Sequence, residues 1–185
     1  MDRRRFLFSM SAGIAASSAL PFFGIRQSVP AAVIQRPATI AGLTLAQWDT
    51  IALIQEHLLP SESRSPGAKE INALTYLQSV LTDPRDDPAD NRFLLLGLNS
   101  IEALSQKKWH TDFSSLKPQQ REQNLRDYEK THDGSSWLNM LLDYLMEALL
   151  TDPVYGGNPQ GIGWKWLQHT PGFPRPPHKQ RSVFA

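Results

Sequence analysis

The chain has 185 residues, 41% of them hydrophobic and 20% charged, which is enough for one domain with a real core. Its formal charge of +1 gives no reason to expect nucleic acid as a partner, and the first thirty residues (Arg3, Arg4, Arg5 and Arg26 against Asp2) carry +3 of it, leaving −2 for the rest. Cysteine is absent, which excludes disulfides, thiol catalysis, iron–sulfur ligation and covalent haem attachment on this polypeptide.

Residues 1–30 read as an address. Arg3-Arg4-x-Phe6-Leu7 is followed by a short Ala/Ser/Gly-rich apolar run, the pattern of an export signal, and the arginine pair with Phe6 and Leu7 resembles a twin-arginine signal. An N-terminal membrane anchor is the alternative. No clear Ala-x-Ala cleavage site follows the apolar run. The twin-arginine route carries proteins already folded. A chain with no cofactor chemistry of its own has reason to use it if it travels with a protein loaded in the cytoplasm, such as a flavoprotein.

Residues 31–43, with Pro37 and Gly42, read as an extended linker. Thr44-x-x-Gln47 is a capping box, and Leu45, Trp48, Ile51, Ala52, Leu58 and Leu59 recur near a 3.6 period until Pro60. A polar loop follows, then a second helix from about residue 68 burying Ile71, Leu74, Leu77, Val80 and Leu81. The acidic break at 83–88 lacks the alternating carboxylates and distant Glu of a calcium loop and reads as a solvated turn. A third helix is expected over 89–108 and a polar, surface-lying fourth over 118–130, with Pro118 in its first turn. A fifth, over 136–150, is so apolar that it is either central in a bundle or pressed against a partner. No strand pattern stands out. The expectation is all-α: an irregular bundle of about five helices over 44–173, a Gly/aromatic loop within it, and an extended basic Pro-rich tail over 174–185.

The loop is the most informative stretch: Asp152-Pro153-Val154-Tyr155-Gly156-Gly157-Asn158-Pro159-Gln160-Gly161-Ile162-Gly163-Trp164-Lys165-Trp166. Its glycines predict a tightly folded connection, neither helix nor strand. Its aromatics make it either a cap over the chain's own core or a docking face. It is no phosphate loop, because Gly163 precedes Trp164 and Lys165 precedes Trp166, and no Gly-x-Gly-x-x-Gly occurs.

A catalytic constellation is missing from the pattern. His57, His110, His132, His169 and His178 show no ligand spacing, His57 suits a helix C-terminus, and His132-Asp133 lies in a turn without a nearby nucleophile. Glu56, Glu102 and Glu147 fall on separate helices, and no nucleophile elbow exists.

The leader, His57-Leu58-Leu59-Pro60, Pro66-Gly67-Ala68, Phe113 with the polar helix after it, and above all Tyr155-Gly156-Gly157-Asn158…Gly161…Gly163-Trp164-Lys165 resemble the small subunit (subunit 3) of gluconate 2-dehydrogenase over about residues 43–173. Trp166 and the Pro-rich tail have no place in that pattern. The resemblance implies a non-catalytic small subunit without catalytic, cofactor or metal residues of its own. Its partners would be an FAD-dependent dehydrogenase subunit acting on CH–OH groups of sugars or sugar acids, often a multihaem cytochrome c subunit, and the twin-arginine machinery. It would be periplasmic, associated with the inner membrane through its complex, and would support maturation and co-export of the flavoprotein. On this reading Arg3, Arg4, Phe6 and Leu7 form the export signal. Tyr155, Asn158, Trp164 and Trp166 contact the partner, while Gly156, Gly157, Gly161 and Gly163 shape the loop. Two other classes stay open: a free-standing periplasmic enzyme working through His57 or His132, and a helical small-ligand-binding protein with the loop as a lid.

Overall fold

The first helix begins where its capping box places it. In the computed structural model, which describes residues 39–85 and 87–177, Gln47 N donates to Thr44 Oγ1 at 3.3 Å and Thr44 N donates to Gln47 Oε1 at 2.9 Å, opening α1, Leu45–Leu58. The twin-arginine segment and the tail beyond 177 lie outside the described residues. The end of the expected linker is structured: β1, Thr39–Ile40, pairs antiparallel with β2, Leu43–Thr44. Leu43 is 1% exposed, and Ile40 O accepts from Trp48 Nε1 at 3.1 Å, so this short hairpin closes one end of the core.

Helix α2 spans Ala73–Leu81 and starts five residues later than the apolar period implies. Residues 67–72 coil instead, with Ile71 N donating to Gly67 O, Asn72 N donating to Lys69 O, and Asn72 in the left-handed region at φ 57°. Gly67 permits the coil: a Cβ there would lie 2.4 Å from Ser61 N. The break after α2 is an exposed turn in which Arg85 binds Asp83 and holds its carboxyl down to about 2.

Helix α3, Pro88–Trp109, is capped by Asp87, whose side chain accepts from Ala89 N at 2.8 Å. A 3₁₀ turn at Phe113–Ser115 then leads to α4, Pro118–Glu129, and α5, Gly134–Leu150. The polar α4 is less superficial than its composition suggests, since Asn124, Leu125 and Tyr128 are buried. Helix α5 is central: it packs on α1, α2, α3 and α4. Its first half joins Trp48, Ile51, Leu94, Ile101 and Phe113 in the main core through Trp137 and Leu141. Its second half, through Leu145, Ala148 and Leu149, forms a separate apolar cluster with Ala68, Ile71 and Ala73. That second cluster is the floor on which the Gly/aromatic segment sits. The architecture is all-α, with six helices among the described residues and the hairpin as its one sheet.

His57 does more than face a helix end. Its Nε2 contacts the Glu122 carboxylate, which Arg126 also binds, tying α1 to α4. The His57 hydrogen bond and Arg126 hold the Glu122 carboxyl below the usual range. A carboxyl depressed in the folded state stabilises above its unfolded pKa and loses that contribution as pH falls through the folded value. Glu122→Gln is therefore expected to flatten the acid limb of the urea-midpoint-against-pH curve, the variant being slightly less stable than the parent at neutral pH and converging with it once the carboxyl of the parent is protonated in acid.

Candidate functional site: the braced Gly/aromatic segment

The segment after α5 is two 3₁₀ turns, Pro153–Tyr155 and Pro159–Gly161, running into α6, Ile162–Leu167. The expectation of a loop without helix is corrected at its second half: Gly163, Trp164, Lys165 and Trp166 lie within α6. Glycine belongs there for packing. A Cβ on Gly163 would stand 2.1 Å from Leu149 O, so only glycine lets α6 approach the end of α5 so closely. Gly157 meets the same helix, with Ala148 O 2.7 Å from its absent Cβ. Gly156 and Gly161 take positive φ (97° and 67°) at the ends of the two turns.

Asn158 organises the segment. It is fully buried, at φ 49°. Its Nδ2 donates to Thr151 O at 2.9 Å, its Oδ1 accepts from Gly163 N at 2.7 Å, and its own N–H donates to Ile71 O at 3.0 Å. One side chain thus joins the end of α5 to the start of α6 while its backbone is tied to the coil before α2. Asn tolerates the left-handed conformation better than most residues, and here its amide supplies one donor and one acceptor to main-chain groups inside the fold. With its amide engaged inward, Asn158, expected from the sequence to contact a partner, acts as an internal brace.

Trp164 is likewise turned inward. It is 9% exposed, and its Nε1 donates to Leu150 O at 2.7 Å, capping a carbonyl of the last turn of α5. Of the two expectations, core cap and docking face, its burial and its bond to Leu150 O match the cap. The tail adds a clamp that the sequence did not suggest. Arg175 donates through Nε and an Nη to Asp152 Oδ2, both at 2.8 Å, and its guanidinium stands 5.0 Å from the centre of the Trp164 ring. Asp152 Oδ1 meanwhile accepts from Val154 N at 3.1 Å, so one carboxylate opens the segment and anchors the tail. Residues 172–177 are therefore fastened at Arg175. No feature short of the structure connects Asp152 with a residue twenty-three positions later.

Large apolar side chains remain outside, among exposed polar ones such as Lys165, Gln168 and His169. Tyr155 (43% exposed), Trp166 (40%), Leu167 (45%) and Phe173 (85%) present large side chains to solvent, as do Met146 and Leu150, one turn apart near the end of α5. Single exposed hydrophobics are ordinary on protein surfaces. This set is concentrated within α5's last turns, the braced segment and the clamped tail. An open recess of about 610 Å³ adjoins it, lined by Pro153, Gln160, Trp164, Lys165, His169 and Arg175.

Among the described residues, the other sequence candidates occupy separate places. His132 is almost wholly exposed and hydrogen-bonds Asp133 at 2.6 Å. His110 caps α3 with a left-handed backbone. Glu102 accepts from Phe113 N, and burial together with Asp112 raises its carboxyl above the usual range; no imidazole or ammonium joins that pair in an ion pair among the described residues. Among the described residues no three His, Asp or Glu side chains stand close enough to hold a metal ion, and no helix is long and apolar enough to cross a membrane.

Comparison with known proteins gives one match. The model of a family described as gluconate 2-dehydrogenase subunit 3 matches residues 46–172, from the start of α1 through the braced segment. No curated protein and no solved structure matches.

Proposed function

Because this chain belongs to the gluconate 2-dehydrogenase subunit 3 family, we propose that it is the non-catalytic small subunit of an FAD-dependent sugar or sugar-acid dehydrogenase, and that it grips the flavoprotein through the outer face of the braced segment. The observation that carries the reading is the contrast within that segment. Asn158, Trp164 and the glycines are used internally, while Tyr155, Trp166, Leu167 and Phe173 are held out on a rigid base. A pre-organised aromatic surface loses little conformational entropy on docking, and aromatic side chains dominate binding energy at protein interfaces. A stable complex would need about 1,600 Å² of total buried surface, more than these side chains alone supply, so Met146 and Leu150 at the end of α5 would extend the contact.

The remainder of the proposal concerns place and escort. The Arg3-Arg4-x-Phe6-Leu7 leader would direct the chain through the twin-arginine route, and the folded, FAD-loaded partner would travel with it to the periplasm. There the complex would sit at the inner membrane, with a haem c subunit as electron acceptor where one is present. Redox chemistry would belong to the partners, and this chain would act by binding.

Three experiments test this. The double substitution Tyr155→Ala/Trp166→Ala is expected to weaken co-purification with the flavoprotein by about thirtyfold or more, a loss typical of one interface anchor, while the melting temperature of the isolated chain stays nearly unchanged. A fall in melting temperature with binding intact would overturn the docking assignment. Arg3→Lys with Arg4→Lys is expected to leave both this chain and the flavoprotein in the cytoplasm; undiminished periplasmic flavoprotein would overturn the escort role. Turnover of a sugar acid by the purified chain alone would favour the free-standing enzyme instead.

A further inference from the structure

A second recess lies between α1 and the start of α2. It encloses about 270 Å³ and is lined by Gln55 and Glu56 of α1, by Lys69 and Asn72 of the coil, and by Leu74 and Thr75 of α2. Three features of it point the same way. Helix α2 has nine residues and starts without a side-chain cap, because its N-cap, Asn72, is left-handed and makes no capping hydrogen bond. Ala73 N donates to Ala68 O at 3.0 Å and Tyr76 N to Asn72 O at 2.9 Å, which leaves the Leu74 and Thr75 amides as the unused donors of the first turn. Gln55, 1% exposed, is among the residues lining the recess, and its Nε2 is buried and lacks any hydrogen-bond partner.

A buried amide N–H without an acceptor is costly, typically about 1–3 kcal/mol. Here the missing partner is an acceptor, and so is the partner that uncapped helix amides need. Lys69 stands on the rim with no carboxylate in salt-bridge contact among the described residues. The nearby Glu70 carboxylate is turned away, accepting from Ser61 Oγ at 3.0 Å and Gly67 N at 2.9 Å. Glu56, exposed on the other rim, is the one opposing charge lining the recess. Donors from a helix start, a side-chain amide and an ammonium form the set that binds oxyanions. The volume is below the roughly 300–1,000 Å³ of pockets for drug-sized ligands, which matches a single small group.

We propose that this recess is a binding site for a small soluble oxyanion, of phosphate or carboxylate type, held by the Leu74 and Thr75 amides, the Gln55 amide and the Lys69 ammonium. The site is independent of the docking segment and survives if that assignment fails. The test is amide NMR of the isotopically labelled full chain during titration with sodium phosphate, against sodium chloride at matched ionic strength. The backbone resonances of Leu74 and Thr75 and the Gln55 side-chain amide are expected to shift saturably with phosphate and not with chloride. Lys69→Met, a surface change that leaves the fold intact, is expected to weaken the response by about tenfold, as is Gln55→Leu. Glu56→Gln is expected to tighten it severalfold by removing the opposing charge. If those three resonances stay still, the proposal fails. It fails equally if Lys69→Met leaves the titration unchanged, or if Glu56→Gln weakens it, which would mark a cation or polyol site.

Discussion

Asn158→Ala is expected to lower stability by about 3–5 kcal/mol, a large part of the 5–15 kcal/mol typical of a domain. Two main-chain groups would lose their partners: Thr151 O, which accepts from Nδ2, and Gly163 N, which donates to Oδ1 inside the fold. An unpaired buried group costs about 1–3 kcal/mol; Gly163 N is buried and Thr151 O only partly so, which puts the two together at about 2–4 kcal/mol. Alanine would also have to hold the φ of 49° that asparagine tolerates, adding about 1 kcal/mol. Urea unfolding measures the total. Asn158→Gly separates the contributions, because glycine accepts the conformation but still forfeits both bonds, so it should recover only about 1 kcal/mol. Limited proteolysis supplies a local readout: cleavage within residues 152–169 should appear well below the global unfolding midpoint. A midpoint within about 1 kcal/mol of the parent would mean that the brace carries no weight.

Gly97→Ala should be comparably damaging, although alanine is favoured over glycine in a helix interior by about 1 kcal/mol. A Cβ at position 97 would lie 2.0 Å from Trp137 Nε1, far inside van der Waals contact with the indole. That ring is fully buried, donates to Leu94 O at 3.2 Å, and meets Tyr128 edge-on at 5.7 Å. The indole would have to leave its place, breaking a buried hydrogen bond and displacing the contact where α3, α4 and α5 meet. The expected loss is at least about 3 kcal/mol, with a weakened near-ultraviolet tryptophan signal. Gly97→Ala/Trp137→Leu is expected to be less destabilised than the sum of the single changes, since the clash exists only when both side chains are present. Strict additivity would show that the ring and residue 97 do not compete for space.

Periodicity made the helices legible wherever a helix was long enough to repeat. The Thr44/Gln47 box and the run from Trp137 to Leu150 carried local signals that tertiary packing then reinforced. The misses share a cause: contacts between residues remote in sequence. Helix α2 begins late because residues 67–72 are set by Gly67 against Ser61, not by the apolar residues that continue through them. Asn124 and Tyr128 look like surface residues in a polar helix, but Asn124 Nδ2 donates to Ile101 O at 3.3 Å across to α3. Helix α6 has six residues, too few to establish a period, and its glycine argues against helix until the neighbouring backbone of α5 is seen.

The same limit applies to the site. The segment that matters stood out by composition, yet composition could not sort its residues. Asn158 and Trp164, marked for contact with a partner, are held inside, whereas Tyr155 and Trp166 face out. Arg175 and Asp152 carried no local sign of each other. Nothing local marks Gln55, whose buried Nε2 is left unpaired only by the packing around α1.

The wedge of Gly163 against Leu149 has a consequence for how such a chain can change over generations. The segment's geometry is written in main chain meeting main chain, which no side-chain exchange can retune, while its outer rings hold nothing else in position. Variation at 155 and 166 can therefore follow an altering companion without asking the scaffold to adapt, and position 163 has no such freedom.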